Sequence, residues 1–278
     1  MSKLRFQRHS RIQEWVAEEL GVFAELGLEY DIAHGEVPNS PEAAAALASL
    51  PQDPQPSAYR DFLLKSTLTN IASTSHWAVD TAISAGFGRL WPHAYSVMPA
   101  GIYVSPGTRI GSLQDLAKME IVAGRHSGSH YSALHALRAF LPAQDIHLKF
   151  IAGRGERLDY LLGQERTVGS IYGQEAYALE QQGFVKVLDT SFMVNFMIVG
   201  APQPSDVEKY FEAIRRAQRA IDEDQNRYKH YLLRDFPNRF HAMLDTGRCG
   251  IGERVVFDSY PDDLFQRTLD WVKAEKIL

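Results

Sequence analysis

The chain has 278 residues, 45% hydrophobic and 23% charged, enough to bury one large or two medium cores. A net charge of −5 without any Lys/Arg run excludes a nucleic-acid surface and an anionic-membrane patch, so any anion site must be local. One cysteine, Cys249, leaves no internal disulfide, and no stretch reaches the length of a membrane span.

Leu4–Gln7 reads as a short strand. Residues 11–26 place Ile12, Trp15, Val16, Leu20, Phe23 and Leu26 on one face at helical spacing, with Gly27 as the stop. Leu28–Ile32 is the next strand, and a β-α-β opening of this kind argues for a parallel sheet. Residues 35–57 form a long connection with prolines at 38, 41, 51, 54 and 56, containing one short helix over 41–49. Tyr59–Lys65 reads as helix, Thr69–Ser73 as strand, and His76–Ala85 as a helix stopped by Gly86. Tyr95–Val104, interrupted by Pro99, is expected to cross from one lobe to another.

The second half alternates more regularly. Helix is expected at Ser112–Leu116, Ser129–Phe140, Arg154–Leu162 and Glu175–Gln181. Strands are expected at Glu120–Ala123, His147–Ile151, Val168–Ile171 and Val185–Leu188. Phe192–Val199 is the expected return crossing. Ser205–Glu208 spells a capping box. It opens a helix with Val207, Tyr210, Phe211, Ile214, Ala217 and Ile221 on one face. Tyr228–Leu233, His241–Leu244 and Asp262–Lys273 complete the helices.

Two turns carry the chemistry. Ile121–Leu137 runs from an apolar strand through Arg125, His126, Ser127, Gly128, Ser129 and His130 into a helix. Ser127 and Ser129 are good helix caps, and Gly128 lets a backbone approach a ligand closely. The first amides of a helix lack internal partners and carry partial positive charge, which seats a carboxylate, sulfonate or phosphate. The second turn, Asn70–Asp80, repeats the pattern with Ser73, Ser75, His76 and Trp77. Either turn alone is most simply a well-capped surface helix. Two of them suit a molecule gripped between two lobes.

The order of elements resembles the type II periplasmic-binding-protein fold. The branch is that of nitrate/sulfonate/taurine-type solute-binding proteins and thiamin-pyrimidine precursor synthases. The resemblance rests on RIQEWVAEELGVFAELGLEYDI, RIGSLQDLAKMEIVAGRHSGSHYSALHAL, GFVKVLDTS and FQRTLDWVKAEKIL. It implies two α/β lobes, each a mainly parallel sheet flanked by helices, joined by two crossings, with ligand in the cleft. Lobe one is expected to take residues 1–100 and 197–278, and lobe two residues 101–196. Exported members carry a leader, which the opening residues here lack, so a cytoplasmic location is expected, or a periplasmic one if a leader was removed. Leaderless relatives include decarboxylase-like enzymes and an aromatic sulfinate desulfinase. The desulfinase uses a cysteine after the first strand, where this chain has Gln7-Arg-His-Ser, and the synthases' cysteine-rich motif is absent as well.

On this fold the turns holding His9, His34, His76, His126 and His130 face one cleft. Histidine transfers protons near neutrality, although histidines also cap strands and helices routinely. His126 and His130 straddle a turn and share no helical face, so no metal is expected. Lys65 has no local support as a Schiff-base lysine, and no cofactor is expected. Ser73, His76 and Asp80 could be drawn as a triad, but no Gly-x-Ser-x-Gly elbow is present. Asp80 lies one turn beyond His76 and could orient its ring. Trp77, Trp91, Tyr95, Tyr131 and Tyr172 are available to hold a flat ligand, while Trp15 reads as core.

The expected function is a lyase of the decarboxylase type acting on a small carboxylated, aromatic or heterocyclic molecule. Arg8, His34, Ser73, Ser75, Trp77, Arg125, His126, Ser127, Gly128, Ser129, His130 and Tyr172 would bind it, and His76 or His9 would protonate the carbon left behind. The alternative is a non-catalytic solute-binding protein of an ABC importer for an organic anion. The partner is a small organic anion rather than nucleic acid or membrane, and a homodimer stays open.

Overall fold

The computed structural model describes residues 3–33, 48 and 57–277. His34 and nearly all of the expected 35–57 connection, with its 41–49 helix, lie outside the described residues. The described residues build two sheets, one of six strands and one of five.

The first sheet begins as expected. β1 (Leu4–Phe6) leads through α1 (Gln13–Glu19) and α2 (Val22–Glu25) into β2 (Tyr30–Ile32), which pairs parallel with β1. The single helix expected over 11–26 is two helices, because Gly21 takes φ +68°, a left-handed conformation open to glycine at little cost. α3 (Ala58–Ser66) precedes β3 (Ile71–Ser75), parallel to β1, and α4 (His76–Ser84) follows directly. β4 (Arg89–Met98) is longer than expected and pairs antiparallel with β10 (Phe192–Ile198), which in turn pairs antiparallel with β3. Pro92 falls where the β4–β10 register shifts, at the kind of irregularity that tolerates a residue without an N–H. Short β11 (Arg254–Val256), which the sequence did not signal, closes the edge beside β4.

Pro99 carries the chain from β4 into β5 (Ala100–Val104) of the second sheet. That sheet is completed by β6 (Glu120–Ala123), α5 (Gly128–Leu137), β7 (His147–Phe150), α6 (Arg154–Gly163), β8 (Val168–Tyr172), α7 (Gln174–Gln181) and β9 (Val185–Asp189). β7-β6-β8 are parallel, and β5 pairs antiparallel with β8 and β9. Both sheets are therefore mixed: parallel within their β-α-β units, antiparallel where crossing strands are added. The chain returns at Thr190–Ser191, so Phe192–Ile198, expected as the crossing itself, is a strand of the first sheet.

α8 (Pro204–Glu223) buries Val207, Tyr210, Phe211, Ile214, Ala217 and Ile221, the face its periodicity marked. It starts one residue before the expected capping box. Gln203 is the cap residue and Pro204 takes the first turn, where a missing N–H costs nothing. α9 (Gln225–Tyr228) and α10 (Asp262–Ala274) complete the α-helices among the described residues, and the helices expected at Ser112–Leu116, Tyr228–Leu233 and His241–Leu244 are short 3-10 helices, Leu113–Lys118, Lys229–Leu233 and Asn238–Met243. No helix of the described residues is long and apolar enough to cross a membrane.

Candidate functional site

In open α/β sheets the carboxyl ends of parallel strands form the ligand crevice, since the turns there carry free amides and the sheet supports them rigidly. Here the two sheets aim those ends at each other. Gln7 and His9 follow β1, Ser73 and Thr74 end β3, Ser127 follows β6, Arg154 follows β7 and Tyr172 ends β8. All of them line one cleft. The cleft has two chambers that share Gln7, His9, Arg154 and Tyr172. The inner one, about 210 Å³, adds Asp61, Lys65, Ser73, Ser127 and Arg157. The outer one, about 530 Å³, adds Arg8, Ser10, Trp15, Arg234 and Asp235.

Arg157 dominates the inner chamber. It is 4% exposed, its guanidinium donates to the carbonyls of Ile151 and Ala152 at 2.9 Å, and its Nε has no partner. Among the described residues it ion-pairs with no carboxylate. Burial, with Arg154 adding like charge, lowers its pKa. Tyr172, Glu175 and Glu156 offset only part of that cost, so an anion placed there would favour the charged guanidinium further. Arg154 is different: it ion-pairs with Glu175 and donates to Ser10 Oγ at 2.6 Å and to Gln174 at 3.1 Å. Gln174 also donates to the Ser10 carbonyl at 3.2 Å, so these residues bridge the lobes.

His9 lines both chambers, and its Nδ1 meets Glu253 Oε2 at 2.5 Å. Glu253 is fully buried. Burial alone would raise its pKa, but His9, Arg11 and a Ser96 hydrogen bond outweigh this and hold it at about 2. Arg11, equally buried, pairs with Glu14 at 2.6 Å and Glu253 at 3.3 Å and donates to Ser73 Oγ at 3.0 Å. Burial opposes its charge, yet Glu14, Tyr210 and Glu253 raise its pKa. One buried network therefore stands behind both His9 and Ser73.

Of the residues singled out from sequence, Arg8, His9, Ser73, Ser127 and Tyr172 come together here. Others do not line either chamber. Ser75, His76 and Trp77 are buried, and Trp77 packs in an aromatic cluster with Tyr131, Phe192 and Trp271. His76 shares Nδ1 with the Met193 carbonyl at 3.0 Å, and burial brings its pKa down to about 4, leaving it neutral near pH 7. Asp80 does not orient His76. It accepts instead from Asn195 and Tyr260, both at 2.9 Å.

The helix start at 125–130 also differs from expectation. Ser127 occupies the cap position, but its hydroxyl bonds Gly124 O at 2.7 Å and Ser129 Oγ at 2.8 Å, so no side chain caps α5. Gly128 serves packing: a Cβ there would meet the Phe192 ring at 2.3 Å. His126 takes φ +55° and holds Ser57 Oγ at 2.9 Å across the lobes, and the backbone of Arg125 accepts from Ala58 N at 3.0 Å. His130 accepts from the His126 amide at 3.1 Å, and burial, with His126 and Arg125 nearby, pushes its pKa to about 3.

The sequence reading missed Arg154, Arg157, Arg234 and Glu253 as site residues, and Trp15 is half-buried against the outer chamber rather than in the core. Arg154 and Arg157 stand in the turn and helix start after β7, where nothing local in the sequence separates a buried arginine without an ion pair from a solvated one. Among the described residues, no cluster of three or more His, Cys, Asp or Glu is placed to hold a metal.

No protein-family model matches the chain, and no curated protein matches it. Solved structures do. The alkanesulfonate-binding protein SsuA from Xanthomonas axonopodis pv. citri, bound to MOPS, aligns with TM-score 0.67 at 14% identity. The alignment covers 100% of this chain and 94% of that one. The periplasmic aliphatic sulphonate-binding protein SsuA from Escherichia coli aligns with TM-score 0.65 at 17% identity over 99% and 87%. A DszB mutant in complex with biphenyl-2-sulfinic acid aligns with TM-score 0.66 at 13% identity over 99% and 92%. The chain thus has the two-lobed type II periplasmic-binding-protein fold, shared with sulfonate-binding proteins and with DszB.

Proposed function

We propose that the protein is a receptor that closes around a small organic anion, a sulfonate or a carboxylate, for delivery to an ABC importer. The observation that carries this reading is Arg157: a buried guanidinium without a carboxylate, lining a chamber that also receives the uncapped start of α5 at Ser127. The sulfonate-binding proteins of the same fold support the ligand class.

A second reading is favoured by His9. Its Nδ1 is held by Glu253, which leaves Nε2 as the ring nitrogen available to the chambers. A histidine oriented in this way is equipped for acid–base work. In a lyase reaction, His9 Nε2 would give its proton to the ring carbon of an arenecarboxylate as the carbon–carbon bond breaks and carbon dioxide leaves.

A thermal-shift panel of aliphatic and aromatic sulfonates and carboxylates, followed by product analysis of each hit, tests both. A true ligand at a hundred times its Kd adds about 2.7 kcal/mol, a rise of about 5 °C in Tm. The receptor reading expects a hit recovered unchanged. A hit turned over, with turnover lost in His9→Gln, supports the lyase, and a panel without any shift ends both.

A further inference from the structure

The C-terminal helix α10 touches both lobes. Its root is in the first. Just ahead of it, the Tyr260 amide donates to Pro92 O at 2.9 Å, and the Tyr260 hydroxyl donates to the buried Asp80 of α4, also at 2.9 Å. Val272 is buried in the same cluster as Val79 and Ala82 of α4, and the Trp271 ring packs on Trp77 with centroids 5.8 Å apart. A helix fixed at its start and along one face moves with the body that fixes it.

The far end of α10 reaches α5, the helix that follows β6 of the second sheet. Trp271 meets His135 edge-on at 5.3 Å. Glu275, just after α10, accepts from Arg138 Nε, just after α5, at 3.1 Å. The Glu275 side chain is only 17% exposed, so the pair is better shielded than an ordinary surface pair. It also meets an electrostatic need. Partial negative charge gathers at the carboxyl end of a helix, and Glu275 adds a full charge to that end of α10. Lys273 and Lys276 belong to the same end, and Arg138 is the cation supplied by the other lobe.

The contact gains meaning from the course of α5. Ser127 at its start lines the inner chamber, and its middle lies against the return crossing, where Ser132 Oγ meets Thr190 Oγ1 at 3.5 Å. A change of lobe angle turns α5 about that crossing, whereas α10 stays with the first lobe. Arg138 must then part from Glu275, and Trp271 must slide past His135.

We propose that α10 is a strap across the hinge. It ties the helix that opens on the inner chamber to the first lobe and stabilises the lobe angle described above.

Small-angle scattering tests it. Arg138→Glu sets two carboxylates against each other, and the radius of gyration is expected to shift from the wild-type value. Arg138→Gln only deletes the ion pair and should shift the radius less, in the same sense. Combining Arg138→Glu with Glu275→Arg rebuilds the pair in reverse and should restore the wild-type radius. Arg138 is exposed, so its replacement leaves the core intact, which circular dichroism checks. An unchanged radius in Arg138→Glu, or a shift that the charge swap does not reverse, overturns the strap.

Discussion

At the scale of single residues, the cleft separates groups that act from groups that only fold. His76 and His130 carry the chemistry suggested by their type, but their burial fixes them as neutral. The same burial acts on Asp80, whose pKa is pushed up to about 7 from an ordinary 3.8 despite hydrogen bonds from Asn195 and Tyr260. The three have opposite consequences for stability. Between pH 3.8 and 7 the unfolded chain ionises Asp80 while the folded one keeps the proton, so stability falls as pH rises, by about 4 kcal/mol in full. The histidines protonate in the unfolded chain below 6.5 but stay neutral when folded until about 4 and 3, so they remove stability as pH falls. Between pH 7 and 5 the two histidines together remove more stability than Asp80 adds, so Asp80 offsets part of the fall. Asp80→Asn removes one arm, and its urea midpoint is expected to drop more steeply from pH 7 to 5 than the wild type's. Equal slopes would show that Asp80 is ionised at both values. Arg157→Gln removes the charged hydrogen bonds proposed for the ligand and should weaken sulfonate binding roughly 10- to 100-fold in calorimetry.

At the scale of elements, the sequence was most readable where a strand runs into a turn and then a helix. The β3–α4 and β6–α5 units both form, and the apolar face of α8 is the one its spacing marked. It was least readable where tertiary contacts decide. β4 extends back through Trp91-Pro-His because β10 pairs beyond it, Met197 with Leu90 and Ile198 with Arg89, although the segment itself has no strand pattern. Gly128 looked like a ligand-facing glycine and is instead the position that admits the Phe192 ring. Gly128→Ala overpacks that contact and should cost about 1–3 kcal/mol, read as a lowered Tm. An unchanged Tm would return Gly128 to the ligand. Arg157 and Glu253 could not be ranked from sequence, since their meaning lies in which partners the fold denies or supplies.

At the scale of the whole molecule, two polypeptide crossings leave the lobes free to hinge, and the hydrogen bonds between them decide how far the cleft closes. Arg154 and Gln174 reach Ser10 on one side, and His126 reaches Ser57 on the other. Arg154→Leu should open the ligand-free molecule, seen as a larger radius of gyration in small-angle scattering. It should also weaken binding by roughly tenfold, because less of the population stands ready to bind. An unaltered radius would mean that packing rather than these bonds holds the lobes.

On the proposed reading, this cleft receives an organic anion at Arg157. A crystal structure of the protein soaked with an alkanesulfonate tests it most directly. Sulfonate oxygens are expected within hydrogen-bond distance of Arg157 and Ser127, between the lobes. Density for the sulfonate only on an outer surface, with Arg157 still bonded to nothing but the Ile151 and Ala152 carbonyls, would contradict it.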